Sequence, residues 1–195
     1  MRAIILTADQ RGSRSSPDLV ERATTTYAAG ATLPFDRTAG DEMQALYTDP
    51  AAAIATIEAL LREDAWNIGV GVGAVETPLP DHARAGRGEA FVRAREAVTR
   101  AKYTPARIAV GGPGYRSRQV ETVLWLWAGV LTRRTAKGWE VADLVASGAT
   151  HQQVGDRLGI TQSAVSQRGQ AAGLVEAARA RELATELLTD LLEED

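Results

Sequence analysis

The chain has 195 residues, 45% of them hydrophobic and 24% charged, with a formal net charge of −3 and no cysteine. That composition excludes a disordered chain, and the missing thiols exclude disulfides, thiolate metal centres and cysteine nucleophiles. No apolar run reaches the roughly 18 residues that a membrane span needs, and Met1-Arg2-Ala3 leads into a strand-like segment rather than a signal peptide, so a cytoplasmic protein without membrane contact is expected.

The first apolar run, residues 2–8, predicts a strand that Asp9 closes. Ser16-Pro17 supplies an N-cap and a first-turn proline for a helix expected to run to about Ala29, with Gly30 ending it. Residues 33–38 and 42–47 predict two strands joined through Ala39-Gly40-Asp41, a short polar turn in which glycine permits positive φ. Asp49-Pro50 opens a helix whose Ile54, Ile57, Leu60 and Leu61 recur at helical spacing and bury one face. Residues 67–74 read as a glycine-rich strand, where alternate glycines let another backbone or a ligand approach closely. A third helix over 88–102 and a short strand over 108–110 precede the linker Gly111-Gly112-Pro113-Gly114. The order β-α-β-β-α-β followed by α-β predicts a ferredoxin-like sheet with helices on one face.

Two strand-borne carboxylates that meet across neighbouring strands suit divalent ions bridging phosphate oxygens. Asp9 and Asp41 are the candidates, with Glu42 beside them. Backbone N–H groups around Gly12 and the helix start near Ser16 could hold an anion, and Arg11 and Arg14 could add charge-assisted bonds.

These segments also carry a family likeness. Arg37-Thr38-Ala39-Gly40-Asp41-Glu42-Met43 resembles the signature hairpin of GGDEF-type diguanylate cyclases, with Ala39 at the first glycine and Met43 at the phenylalanine. Residues 67–73 resemble the strand that follows in those enzymes and in class III nucleotidyl cyclases. Ala94-Arg95-Glu96-Ala97-Val98-Thr99-Arg100-Ala101-Lys102 resembles the helix that ends the diguanylate cyclase domain, including its terminal lysine. Taken with Leu6-Thr7-Ala8-Asp9-Gln10-Arg11-Gly12-Ser13-Arg14, the chain resembles the SatD family, whose members join such a palm to a DNA-binding tail.

The resemblance implies an α+β chain, with a ferredoxin-like cyclase/GGDEF-type palm over 1–112 and an all-α helix-turn-helix domain over 117–195. It implies magnesium at Asp9 and Asp41, and a nucleotide held by Asp9, Arg11, Gly12, Arg14, Gly40, Asp41, Glu42 and Lys102. In class III cyclases an asparagine and an arginine on the helix after the glycine-rich strand stabilise the transition state. With Gly88 aligned to that helix's leading glycine, the matching positions hold Val92 and Glu96, which cannot stabilise charge developing at phosphorus. Ala39 would also crowd a guanine nucleotide. A palm that senses a nucleotide, or has lost its ligand, is therefore expected, and no catalytic residue is assigned. The alternative is a metal-dependent nucleotidyl cyclase or nucleotidyltransferase acting on nucleoside triphosphates.

Charge is uneven beyond this point: the middle of the chain is basic and its end, from Glu182 to Asp195, is acidic. Residues 119–134 predict an apolar helix carrying Val120, Val123, Leu124, Trp127, Val130 and Leu131 on one side, with Trp125 and Leu126 widening the stripe. Its tryptophans are expected in the core rather than as base-stacking platforms, and Trp139 beside Val141, Leu144 and Val145 is expected to join them.

Residues 150–172 read as a helix-turn-helix. Thr150 caps a short helix with Val154 and Leu158 facing inward, Gly159 breaks it, Ile160 plugs the junction, and Thr161 caps a second helix whose Val165 packs inward. Thr161, Gln162, Ser163, Ser166, Gln167 and Gln170 would offer hydroxyl and amide groups to double-stranded DNA, with Arg168 on the phosphates. Gly169 is expected to weaken that helix or end it early. From Leu174 one helix carries Ala180, Leu183, Ala184, Leu187, Leu188, Leu191 and Leu192 as an apolar stripe. Two partners are open to it: the same helix of a second copy, giving a homodimer with two recognition helices, or the tryptophan helix of its own chain. The function expected from the whole is DNA-binding transcriptional regulation.

Overall fold

A computed structural model describes residues 1–194. The first apolar run becomes β1 (Arg2–Gln10), which extends past Ala8 to include Asp9 and Gln10. It lies at the centre of a five-stranded sheet, antiparallel to β3 (Glu42–Tyr47) on one side and to β4 (Trp66–Ala74) on the other. β2 (Leu33–Arg37) adds antiparallel to β3, and β5 (Ile108–Gly111) adds parallel to β4, so the sheet is mixed and ordered β2-β3-β1-β4-β5. Eight α-helices accompany it among the described residues, in keeping with an α+β chain.

Alternation along β1 separates two cores. Ile4, Leu6 and Ala8 face a large core with α1 (Val20–Thr26), α2 (Pro50–Glu63), α4 (Arg116–Leu131) and α8 (Leu174–Glu193). Ala3 and Ile5 face a smaller core beneath α3 (Glu89–Ala101). Helices therefore cover both faces, correcting the one-face expectation. The cause is routing: β3, β4 and β5 run parallel to one another and the chain crosses the sheet in the same sense at both steps, yet α2 and α3 lie on opposite faces. The two crossovers consequently have opposite hands, an arrangement that hydrophobic periodicity does not encode.

The alternate glycines of β4 are occupied by a helix backbone. Methyl groups built on Gly69 or Gly71 would overlap backbone atoms of Ala94 and Val98, or of Ala90 and Ala94. Ala90, Ala94, Ala97 and Ala101 are all buried on α3, so small residues face small residues and the helix settles close to the strand.

The first helix is shorter than its cap signals indicate. α1 starts at Val20, because the Gln10 side chain takes over the preceding loop: its Nε2 donates to Ser16 Oγ at 3.2 Å and to the Pro17 carbonyl at 2.7 Å, while its Oε1 accepts from Leu19 N at 2.8 Å. Asp49 does cap α2, accepting from Ala51 N, with Pro50 at the first helical position.

Tyr47 is fully buried, and its hydroxyl donates to Thr56 Oγ1 at 3.0 Å. Burial pushes the phenol from 10.0 up to about 12. Because the folded value is raised, this contribution is complete below pH 10 and fades as pH climbs toward 12, by about 3 kcal/mol in all. Urea midpoints measured from about pH 9 to 12 should fall more steeply for the parent chain than for Tyr47→Phe.

Side chains guard the outer side of β5. Glu121 Oε2 accepts from Val110 N at 2.8 Å, the Trp125 indole N–H donates to the Ile108 carbonyl at 2.7 Å, and Arg100 donates to the Val110 carbonyl at 2.9 Å. α4 thus uses one face for the core, where Trp127 is 1% exposed, and another for the sheet edge.

α8 buries Ala177, Ala184, Leu188 and Leu191 in the same core as α4 and the sheet. Most of the stripe therefore packs on its own chain, with Ala180, Leu187 and Leu192 partly buried and Leu183 left 45% exposed. Arg2 reaches the C-terminal end of α8, donating to the Leu192 carbonyl at 2.7 Å and the Leu191 carbonyl at 3.3 Å, a cation where the helix dipole favours one. Between α4 and α8, α5 (Ala136–Ala146), α6 (His151–Leu158) and α7 (Gln162–Ala171) enclose a separate small core of Val141, Val154 and Val165. Among the described residues no helix is long and apolar enough to cross a membrane.

Candidate nucleotide cleft and nucleic-acid interface

The β2–β3 hairpin turns tightly, with Glu42 N donating to the Ala39 carbonyl and Gly40 at φ +60. Gly12, at φ +63, reverses the chain after β1, and its carbonyl accepts from the backbone N–H groups of Ser15 and Ser16. These two turns border a cleft of about 430 Å³ lined by Gln10, Ser13, Arg14, Asp18, Gly40 and Asp41. Ser13 Oγ donates to Asp41 Oδ2. Asp18 accepts from Arg37 and from Val20 N; the hydrogen bond from Arg37, followed by that from the Val20 amide, holds its carboxyl below the usual range. The cleft thus offers one guanidinium, one hydroxyl and two carboxylates, a set able to meet a phosphate and the hydroxyls of a sugar.

Asp9 belongs to a different cluster. It follows the odd-numbered residues of β1 toward the α3 face, whereas Gln10 follows the even-numbered ones toward the cleft. The register sets Asp9 opposite Glu42 on β3 and Asn67 on β4. Asn67 Nδ2 donates to Asp9 Oδ1 at 3.0 Å and Lys102 Nζ, from the end of α3, lies 3.0 Å from Asp9 Oδ2. The Asp9 carboxylate is sheltered, at 14% exposed, while the Lys102 side chain that meets it is 44% exposed. Glu42 accepts from Thr38 Oγ1 at 2.6 Å.

The expected nucleotide residues are therefore split. Arg14, Gly40 and Asp41 share the cleft, and Gly12 shapes its rim; Asp9, Glu42 and Lys102 lie on the α3 side; Arg11 is elsewhere, donating to the Asp64 carbonyl and carboxylate at the end of α2. The two carboxylates expected to share a magnesium ion thus have different partners, Asp9 meeting Asn67 and Lys102 on the α3 side and Asp41 meeting Ser13 in the cleft. Among the described residues no group of three or more His, Cys, Asp or Glu side chains could hold a metal. Gln10 and Ser13 belong to the 9–14 loop expected to receive phosphates, without a role of their own assigned there; Asp18 and Asn67 are additions. Of these, Asp18 left a signal, as an acidic residue just ahead of a helix, where its carboxylate accepts from Val20 N.

The second site is α6–α7. Thr150 and Gln153 form a capping box on α6, Gly159 ends it in the left-handed region at φ +64, and Thr161 caps α7 by accepting from Ala164 N. A methyl on Gly155 would stand 2.7 Å from the Ile160 carbonyl, so glycine lets the turn fold tightly against α6. On α7, Val165 and Gly169 are buried, while Gln162, Ser163, Ser166, Gln167 and Gln170 are exposed; Arg168 is half-buried and Thr161 exposed. Gly169 does not end the helix, which continues to Ala171. It makes room for Leu174, whose side chain would stand 3.1 Å from a methyl there.

No family model matches the chain, and neither a curated protein nor a solved structure is significantly similar to it.

Proposed function

We propose that the chain is a DNA-binding regulator that places α7 in the major groove and answers to a nucleotide at the cleft beside β1. The observation that carries this reading is the uncovered polar face of α7. Five amide and hydroxyl side chains stand exposed on a helix held from behind by Val165 and Gly169. Such groups bond base edges and phosphates, and a short capped helix followed by a glycine turn and a second capped helix is how helix-turn-helix proteins present them. Arg157 and Arg168 add positive charge nearby, while most of the acidic side chains of α8, from Glu182 onward, lie toward the far end of the chain's sequence.

The nucleotide half rests on Arg14, Ser13 and Asp41 lining one cleft between two glycine turns. A two-fold operator, which a homodimer would read, requires joining two chains through a surface other than the buried part of the α8 stripe.

Mobility shifts on the DNA upstream of the coding sequence test the reading. Gln162→Ala and Gln167→Ala should each cut discrimination between preferred and scrambled DNA by about 10- to 100-fold while non-specific binding persists. Arg168→Ala should weaken all sequences alike and reduce the salt slope by about one. A chain that retards no DNA in a salt-dependent way refutes the proposal. Equal operator affinity across a panel of nucleotides, with and without magnesium, removes the sensing half alone.

A further inference from the structure

We propose that a second cleft, between α2, α5 and α8, binds a small organic carboxylate with an apolar body, anchored on Arg134. This cleft has a volume of about 220 Å³, too small for a nucleotide, and is lined by Arg134, Trp139, Val145, Leu174, Ala177 and Arg181 among others. Arg134 is 9% exposed. Its Nε donates to the Ala172 carbonyl at 2.9 Å and its guanidinium stacks over the Trp139 ring at 4.3 Å, but its Nη2 is shielded from solvent and has no partner among the described residues.

The surrounding charges are already matched in pairs. Arg62 makes a two-pronged contact with Asp143 at 2.8 and 2.9 Å, and Arg181 pairs with Glu58 at 3.3 Å. Arg134 is left as the surplus cation, and burial, the leading cause, pulls its pKa below the ordinary arginine value. Glu58 and Asp143 border the same cleft and favour the charged form, but they are paired with Arg181 and Arg62, so no carboxylate bonds the Arg134 guanidinium directly, and a ligand carboxylate is the planar anion that suits it. Val145, Leu174 and Ala177 give the remainder of such a ligand an apolar wall. The site is distinct from the cleft beside β1 and stands whether or not α7 reads DNA.

Tryptophan indole NMR on the full chain tests it. The Trp139 N–H signal, assigned with Trp139→Phe, is followed while benzoate, hexanoate or indole-3-acetate is added, with benzamide as the uncharged control. At least one carboxylate should shift that signal saturably below about 10 mM, benzamide should not, and Arg134→Gln should weaken binding about tenfold or more. Ala178→Phe, at an exposed position bordering the cleft, should also block binding while sparing the guanidinium, which keeps the test decisive if Arg134→Gln fails to fold. The proposal is overturned if no carboxylate moves Trp139, if benzamide moves it equally, if inorganic phosphate competes as well as the carboxylates, or if Ala178→Phe leaves binding unchanged.

Discussion

Gly71→Ala is expected to cost about 3 kcal/mol or more and to leave little soluble, cooperatively folding protein. The added methyl overlaps the Ala90 carbonyl oxygen and the Ala94 amide nitrogen. These are backbone atoms of α3, so no rotamer change relieves the clash; the whole helix must lift from β4. Lifting it opens the core of Ala3, Ile5, Phe91 and Ala94 and pulls Lys102 away from Asp9. Gly129→Ala in α4 provides the contrast, because nothing lies within 4 Å of a methyl there. In that helix interior the same exchange should stabilise by about 0.5 to 1 kcal/mol. Urea unfolding of the two variants beside the parent decides it, and a Gly71→Ala chain of parental stability would show that α3 does not sit against this strand.

Val165→Asp is expected to melt α5–α7 while the sheet stays folded. That unit has three fully buried hydrophobic side chains, Val141, Val154 and Val165, and an unpaired carboxylate among them costs about 3 kcal/mol or more. Between Leu131 and Ala177 the large core has no buried member and only half-buried Trp139 packs against it, so the sheet draws little of its burial from the unit. Hydrogen exchange should therefore show amides of α6 and α7 losing protection while those of β1 keep theirs, and any DNA retardation by the parent chain should disappear. If both regions unfold together in one transition, the two cores are energetically one.

Much of this architecture can be read from side-chain periodicity. Residues 42–47 alternate and form β3, and Asp49-Pro50 followed by Ile54, Ile57, Leu60 and Leu61 forms α2 with that face inward. Periodicity states that a face is buried but not what buries it. Most of the α8 stripe packs in one core with α4, and the glycines of β4 receive a helix rather than a ligand, for reasons that lie in chain routing. The Ser16-Pro17 start failed because a competing acceptor and donor, the Gln10 amide, reaches the loop from a neighbouring strand end. The same blind spot affects the carboxylates. Counting by twos along β1 from Leu6 and Ala8 puts Asp9 on the other face, where Asn67 and Lys102 meet it, and leaves Asp41 to Ser13.

The polar collar that α4 throws around β5 has a consequence for how copies of this chain can meet. A foreign strand seeking to extend the sheet there would have to displace the Glu121 carboxylate and the Trp125 indole from the very groups it needs. At the opposite margin β2 carries Pro34, which lacks an N–H, beside charged Asp36 and Arg37, and its register is interrupted between Leu33 and Asp36. Both margins therefore resist strand-by-strand growth into fibrils, and assembly must proceed through helical or loop surfaces.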